Sequence, residues 1–153
     1  MKKIESFKIN HDILTPGIYV SRIDGDVVTY DIRVKFPNGG DYLQNHAMHT
    51  IEHIFATFVR NSKFSESVVY FGPMGCRTGF YLLMRDTVSF EDVILLVKEA
   101  FSYISGFEGK IPGSTKIECG NYLEHDLEGA KREASCMSKV IETWKKEDMQ
   151  YKS

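Results

Sequence analysis

His49 and His53 stand four residues apart, with Glu52 between them. On a helix this spacing stacks both imidazoles on one face with Cβ atoms about 6 Å apart, a span that two ring nitrogens close onto one metal ion. Glu52, three residues after His49, falls on the same side. It is placed to move a proton on a substrate, or on water at the ion, without being a ligand. The plain alternative is a polar helix face carrying three ordinary side chains.

Two imidazoles hold an ion weakly, so a third donor is required. The candidates are Cys76, Cys119, Cys136, His11, His46 and His125. Cys76 lies in a glycine-bearing corner, Gly72 to Gly79, that can hold a reactive thiol outside the core; elsewhere such a residue is simply a small buried hydrophobe. Cys119 precedes Gly120 in a loop where a thiolate approaches an ion without crowding. Cys136 falls opposite the apolar stripe of the last helix and reads as an inert surface or subunit-contact thiol, and His46 as a cap or solvent residue. His-x-x-Glu-His is also the inverted zinc-peptidase signature, with Glu as base and a distal carboxylate as third ligand. Residue chemistry alone leaves that hydrolase reading open, together with a metal-binding dimer that is not an enzyme.

The elements that must position these groups are legible as patterns. Residues 18–23 and 27–36 flank Asp24-Gly25-Asp26, a hairpin. In the second run Val28, Tyr30, Ile32, Val34 and Phe36 alternate with Thr29, Asp31, Arg33 and Lys35, which puts Arg33 on a polar face. Residues 44–60 read as a helix with Met48, Ile51, Ile54, Phe55 and Phe58 as core stripe, opposite His49, Glu52, His53 and Ala56. Strands are expected at 67–71 and 79–84, and a helix from Phe90 to Ile104 capped by Ser89 and ended by Gly106. Residues 109–121 read as loop with a short strand at 115–119. A last helix spans 127–146, burying Leu127, Ala130, Ala134, Met137, Ile141 and Trp144. The expected class is α+β, one small domain over 1–153 with an antiparallel sheet packed against helices.

Composition narrows the function. Nineteen basic and 21 acidic residues among 153 give a net charge of -2, which excludes the positive field of a nucleic-acid or anionic-membrane binder. No apolar run approaches a membrane span, and MKKIESFKINHD lacks the apolar core of a signal peptide. Three widely separated cysteines argue against a disulfide scaffold. The expected setting is cytoplasmic.

MHTIEH at 48–53, GPMGCRTGFY at 72–81 and ECGNYLEHDLEGAK at 118–131, in this order, resemble S-ribosylhomocysteine lyase, the LuxS family that makes the autoinducer-2 precursor. SFKINH at 6–11 and YDIRVKFPN at 30–38 extend the likeness over nearly the whole chain. The resemblance implies that His49, His53 and Cys119 bind a divalent metal, Fe²⁺ with Zn²⁺ or Co²⁺ as substitutes. It implies that Glu52 and Cys76 are the acid/base pair and that Ser6, His11 and Arg33 line the substrate pocket. A homodimer is implied as well, with two active sites at the interface and N-terminal pocket residues supplied by the partner chain. The implied reaction cleaves S-ribosylhomocysteine to homocysteine and 4,5-dihydroxy-2,3-pentanedione by two carbonyl migrations and a β-elimination.

This sequence departs from the family pattern at four positions. Asn10 stands for Asp, Val34 for an aromatic, and Tyr70 and Gly72 for the Asp and Ser of Asp-x-Ser-Pro-Met-Gly-Cys. Every implied ligand and both acid/base residues are present.

Overall fold

Alternating apolar residues between Gly17 and Arg85 build a four-stranded antiparallel sheet, and three helices cover one of its faces. The computed structural model describes residues 1–153. Strands β1 (Gly17–Asp24) and β2 (Val27–Arg33) form the hairpin expected over Gly25-Asp26. After α1 (Asn45–Arg60), β3 (Val68–Pro73) and β4 (Gly79–Arg85) complete the sheet in the order β1-β2-β4-β3. Helices α2 (Phe90–Ser105) and α3 (Leu127–Val140) follow. The architecture is the expected α+β arrangement. No helix is long and apolar enough to cross a membrane.

The inward faces of β2 and β4 supply Val28, Tyr30, Ile32, Phe80, Leu82 and Met84 to one core shared with all three helices. Phe55 of α1 joins the layers, its ring stacked on Phe71 of β3 at 3.9 Å and edge-on to Phe101 of α2 at 5.3 Å. Full burial of such a side chain contributes about 1.5–3 kcal/mol, so the α1 frame is fixed by its apolar stripe and not by the residues opposite it. Met48 and Phe58 of the expected stripe are only half-buried. Ser89 caps α2 by accepting the Asp92 N–H at 3.1 Å, and Gly106 ends that helix.

Four expectations are corrected. β2 stops at Arg33, because the N–H groups of Val34 and Lys35 both donate to the single carbonyl of Thr78, and Phe36 is exposed. Arg33 does not face water: it is 2% exposed and its partner Asp31 is 0%, since a segment from the end of the chain covers that face of β2. The last helix ends at Val140, and Trp144 leaves the axis to donate its indole N–H to the Ile18 carbonyl at 2.9 Å. No strand forms at 115–119; the N–H groups of Glu118 and Cys119 both turn back to the Thr115 carbonyl.

Candidate metal centre

The solvent-side face of α1 presents His49 and His53 one turn apart, and the loop between α2 and α3 folds over them. That loop contributes the Pro112 carbonyl, Cys119, the Glu124 carbonyl and His125. Gly113 adopts φ +68°, and a Cβ there would sit 3.2 Å from His53 Nδ1. A residue free to take the left-handed conformation lets the loop lie against the imidazole.

Hydrogen bonds fix the ring tautomers. His49 Nδ1 lies 2.7 Å from the Glu124 carbonyl and His53 Nδ1 lies 3.0 Å from the Pro112 carbonyl. A carbonyl only accepts, so both Nδ1 atoms carry the proton and both Nε2 atoms present lone pairs. Those lone pairs meet Cys119 Sγ, 3.5 Å from His49 Nε2 and 3.9 Å from His53 Nε2. A tetrahedral ion with ordinary Zn–N and Zn–S bonds places such atoms about 3.6 Å apart. The donor set therefore fits a divalent ion. Asn121 N–H donates to the same sulfur at 3.4 Å.

His125 joins the group, and one donor atom from each of His49, His53, Cys119 and His125 lies within 4.8 Å of the others. Its ring stacks on His49 at 4.1 Å. Burial, then the neighbouring imidazoles of His49, His53 and His46, push it down to about 4, so it is neutral at pH 7. The sequence offered it only as one of six third-ligand candidates; nothing in its spacing showed that it would stack on His49. Of the others, His46 is an exposed partner of Glu124 at 3.6 Å, and Cys136 is an exposed thiol. Glu52 is half-buried on the same helix and takes part in no side-chain hydrogen bond.

A second group gathers at the β3–β4 corner. Arg33 donates to Asp31 through Nε at 3.1 Å and Nη2 at 2.7 Å. Burial alone would lower the guanidinium; the Asp31 carboxylate outweighs it and holds Arg33 above its ordinary value. Its Nη1 donates to Thr78 Oγ1 at 2.7 Å and stands 4.0 Å from Cys76 Sγ. The Thr78 oxygen, filled on one side by Arg33, lies 3.0 Å from the Cys76 sulfur and has its hydrogen free for it. Gly79 allows this corner to close, since a Cβ there would collide with the Ile32 carbonyl.

His11 and Cys76 line one cavity of about 210 Å³ with Tyr42 and Thr78. Ser6 lies apart, beside Tyr70 and Tyr81 in a cavity of about 390 Å³ on the open face of the sheet. No hydrogen bond or ion pair within one chain joins the Cys76 group to the imidazole cluster. The departures are locally accommodated. Asn10 Oδ1 accepts the Asp12 N–H at 3.0 Å, Val34 packs in the core, and the Tyr70 phenol lies across Gly72 in the space a larger residue would occupy.

The family model described as S-Ribosylhomocysteinase (LuxS) matches residues 4–148. Curated relatives named S-ribosylhomocysteine lyase align over nearly the whole chain. Those of Borreliella afzelii (strain PKo) and Finegoldia magna are each 49% identical, over 156 and 155 residues, covering 99% of this chain and 99% of the relative. That of Clostridium acetobutylicum is 43% identical over 156 residues with the same coverage.

Proposed function

The chain belongs to the S-ribosylhomocysteinase (LuxS) family, and we propose that its imidazole–thiolate centre and its Cys76 group act together on one substrate. The protein is a carbon–sulfur lyase that releases homocysteine from S-ribosylhomocysteine. The observation carrying the site assignment is the pair of Nδ1–H groups locked onto the Glu124 and Pro112 carbonyls, which aims two nitrogen lone pairs at Cys119. No carboxylate enters the donor cluster, so the peptidase reading loses its third ligand.

His49, His53 and Cys119 would hold the ion, with Fe²⁺ the ion we assign and Zn²⁺ or Co²⁺ acceptable to the same mixed nitrogen and sulfur donors. Held there, a divalent ion polarises a carbonyl oxygen and acidifies the C–H beside it. The protein groups do the proton work. Cys76, as thiolate, removes the proton from the carbon next to the carbonyl and returns it to the neighbouring carbon. Glu52 carries the matching proton between the two oxygens. Two rounds move the carbonyl from C1 to C3. Removal of the C4 proton then expels the homocysteine thiolate from C5, forming the C4–C5 double bond as the C–S bond breaks.

Ser6, His11 and Arg33 are assigned to substrate binding. The structure supports a shared site in a homodimer: Glu52 has no partner in its own chain, and His11 shares its cavity with Cys76 and not with the imidazoles. We therefore assign the Cys76, Arg33 and His11 group of one chain to the metal centre of its partner. Three free thiols suit a reducing cytoplasm. Anaerobically purified, metal-loaded protein should release free thiol from S-ribosylhomocysteine, and absence of release above background would refute the assignment.

A further inference from the structure

His125 is the one imidazole of the cluster not fixed by a carbonyl. Its Nδ1 lies 2.9 Å from Thr50 Oγ1, and that oxygen already accepts the Asp126 N–H at 2.9 Å. A threonine hydroxyl carries one hydrogen. Thr50 is wholly buried and meets no other acceptor, so its hydrogen goes to His125 Nδ1. A neutral imidazole that accepts at Nδ1 carries its own proton at Nε2.

That Nε2 is buried and has no hydrogen-bond partner. No hydrogen bond joins it to Cys119 Sγ, which accepts from Asn121 N–H and faces the His49 and His53 Nε2 lone pairs. The cluster therefore holds rings of opposite kind. His49 and His53 offer lone pairs, whereas His125 offers an N–H and has no lone pair left for an ion. Buried donors without partners are rare in folded proteins, and a catalytic role or an absent ion or water is what such a group points to.

We propose that His125 is a hydrogen-bond donor to the oxygen atom that a substrate brings to the centre, and that Thr50 is the positioning residue that fixes its tautomer. On the lyase reading, on which this assignment of the oxygen rests, that atom is the ribosyl carbonyl oxygen. Negative charge develops on it as the adjacent C–H is broken, and a preorganised N–H stabilises the charge without reorganising.

Long-range ¹H–¹⁵N spectra of zinc-loaded protein labelled at histidine read each ring directly. His49 and His53 should be protonated at Nδ1 and metal-bound at Nε2. His125 should be protonated at Nε2 with neither nitrogen metal-bound. A metal-bound His125 nitrogen, or a proton at its Nδ1, would overturn the proposal.

Two variants test the role itself. His125→Ala and His125→Gln should each retain about one zinc per chain. His125→Ala should lower kcat for thiol release about a hundredfold, the usual loss for one such donor. His125→Gln, which keeps an N–H, should recover part of it. Loss of zinc from His125→Ala, or an unchanged kcat, would also overturn the proposal. If wild-type protein releases no thiol, the lyase reading fails while the spectra still decide the ring's tautomer.

Discussion

The Tyr151 phenol donates to Asp31 Oδ2 at 2.7 Å, tying the segment after a 3-10 turn at Lys146–Met149 to a carboxylate buried in β2. With the two Arg33 donors this gives Asp31 three hydrogen bonds. The Tyr151 ring also stacks on Tyr19 at 5.1 Å. Tyr151→Phe keeps the stack and removes one bond to a charged group, a change worth about 2 kcal/mol. Urea unfolding should show the midpoint falling with the slope unchanged. An unmoved midpoint would mean that this segment contributes nothing to the Asp31–Arg33 pair.

Tyr30 predicts a change of the opposite sign. Its ring is in the core, edge-on to Phe90 at 6.2 Å, but its hydroxyl is buried without a partner. Tyr30→Phe should stabilise the protein by about 1 kcal/mol at neutral pH, since it removes an unsatisfied polar group. Burial also pushes Tyr30 up to about 12, whereas the unfolded chain releases that proton near pH 10. Between these values the folded state holds more protons, so stability is full below pH 10 and falls as pH rises. Thermal unfolding from pH 9 to 11.5 should show the wild type losing more stability than Tyr30→Phe. Equal slopes would contradict the linkage.

The three cysteines should separate cleanly. Cys119→Ala should lose most of the bound metal, because two imidazoles alone bind weakly. Cys76→Ala should keep the metal near wild-type stoichiometry and lose thiol release, since no contact joins that sulfur to the cluster. Cys136→Ala, at an exposed helix position, should be close to silent in both assays. Metal analysis paired with a thiol assay checks all three. Metal loss from Cys76→Ala with retention in Cys119→Ala would reverse the assignment.

The α1 face was legible because a core stripe of Ile51, Ile54 and Phe55 fixes by subtraction where His49, Glu52 and His53 must lie. Period-two alternation likewise placed the inward residues of β2. It could not say whether the other face meets water, and Arg33 was misplaced because Tyr151, 118 residues away in sequence, covers it. Nothing between Ile141 and Lys146 is a helix breaker. Helix α3 ends there because the Trp144 indole is held by β1, a tertiary contact that local propensity does not encode. The Glu124 and Pro112 carbonyls that orient the ligand rings are backbone groups and carry no residue signature at all.

The shared-site assignment predicts complementation between two inactive variants. Arg33→Ala is unsuitable as one of them, because it would strand the buried Asp31 carboxylate at a cost of about 3–5 kcal/mol. Glu52→Ala and Cys76→Ala avoid this, each changing a group outside that ion pair. If Cys76 of one chain serves the metal centre of its partner, a mixed dimer has one site carrying both substitutions and one carrying neither. Random exchange makes about half of all dimers mixed, each with one intact site of two, so about a quarter of wild-type activity should return. If Glu52 and Cys76 instead serve one site within a single chain, both sites of the mixed dimer lack one group and no activity returns. Mass spectrometry of differently tagged chains establishes that exchange is complete. Full exchange with no recovered thiol release would therefore place the whole site in one subunit.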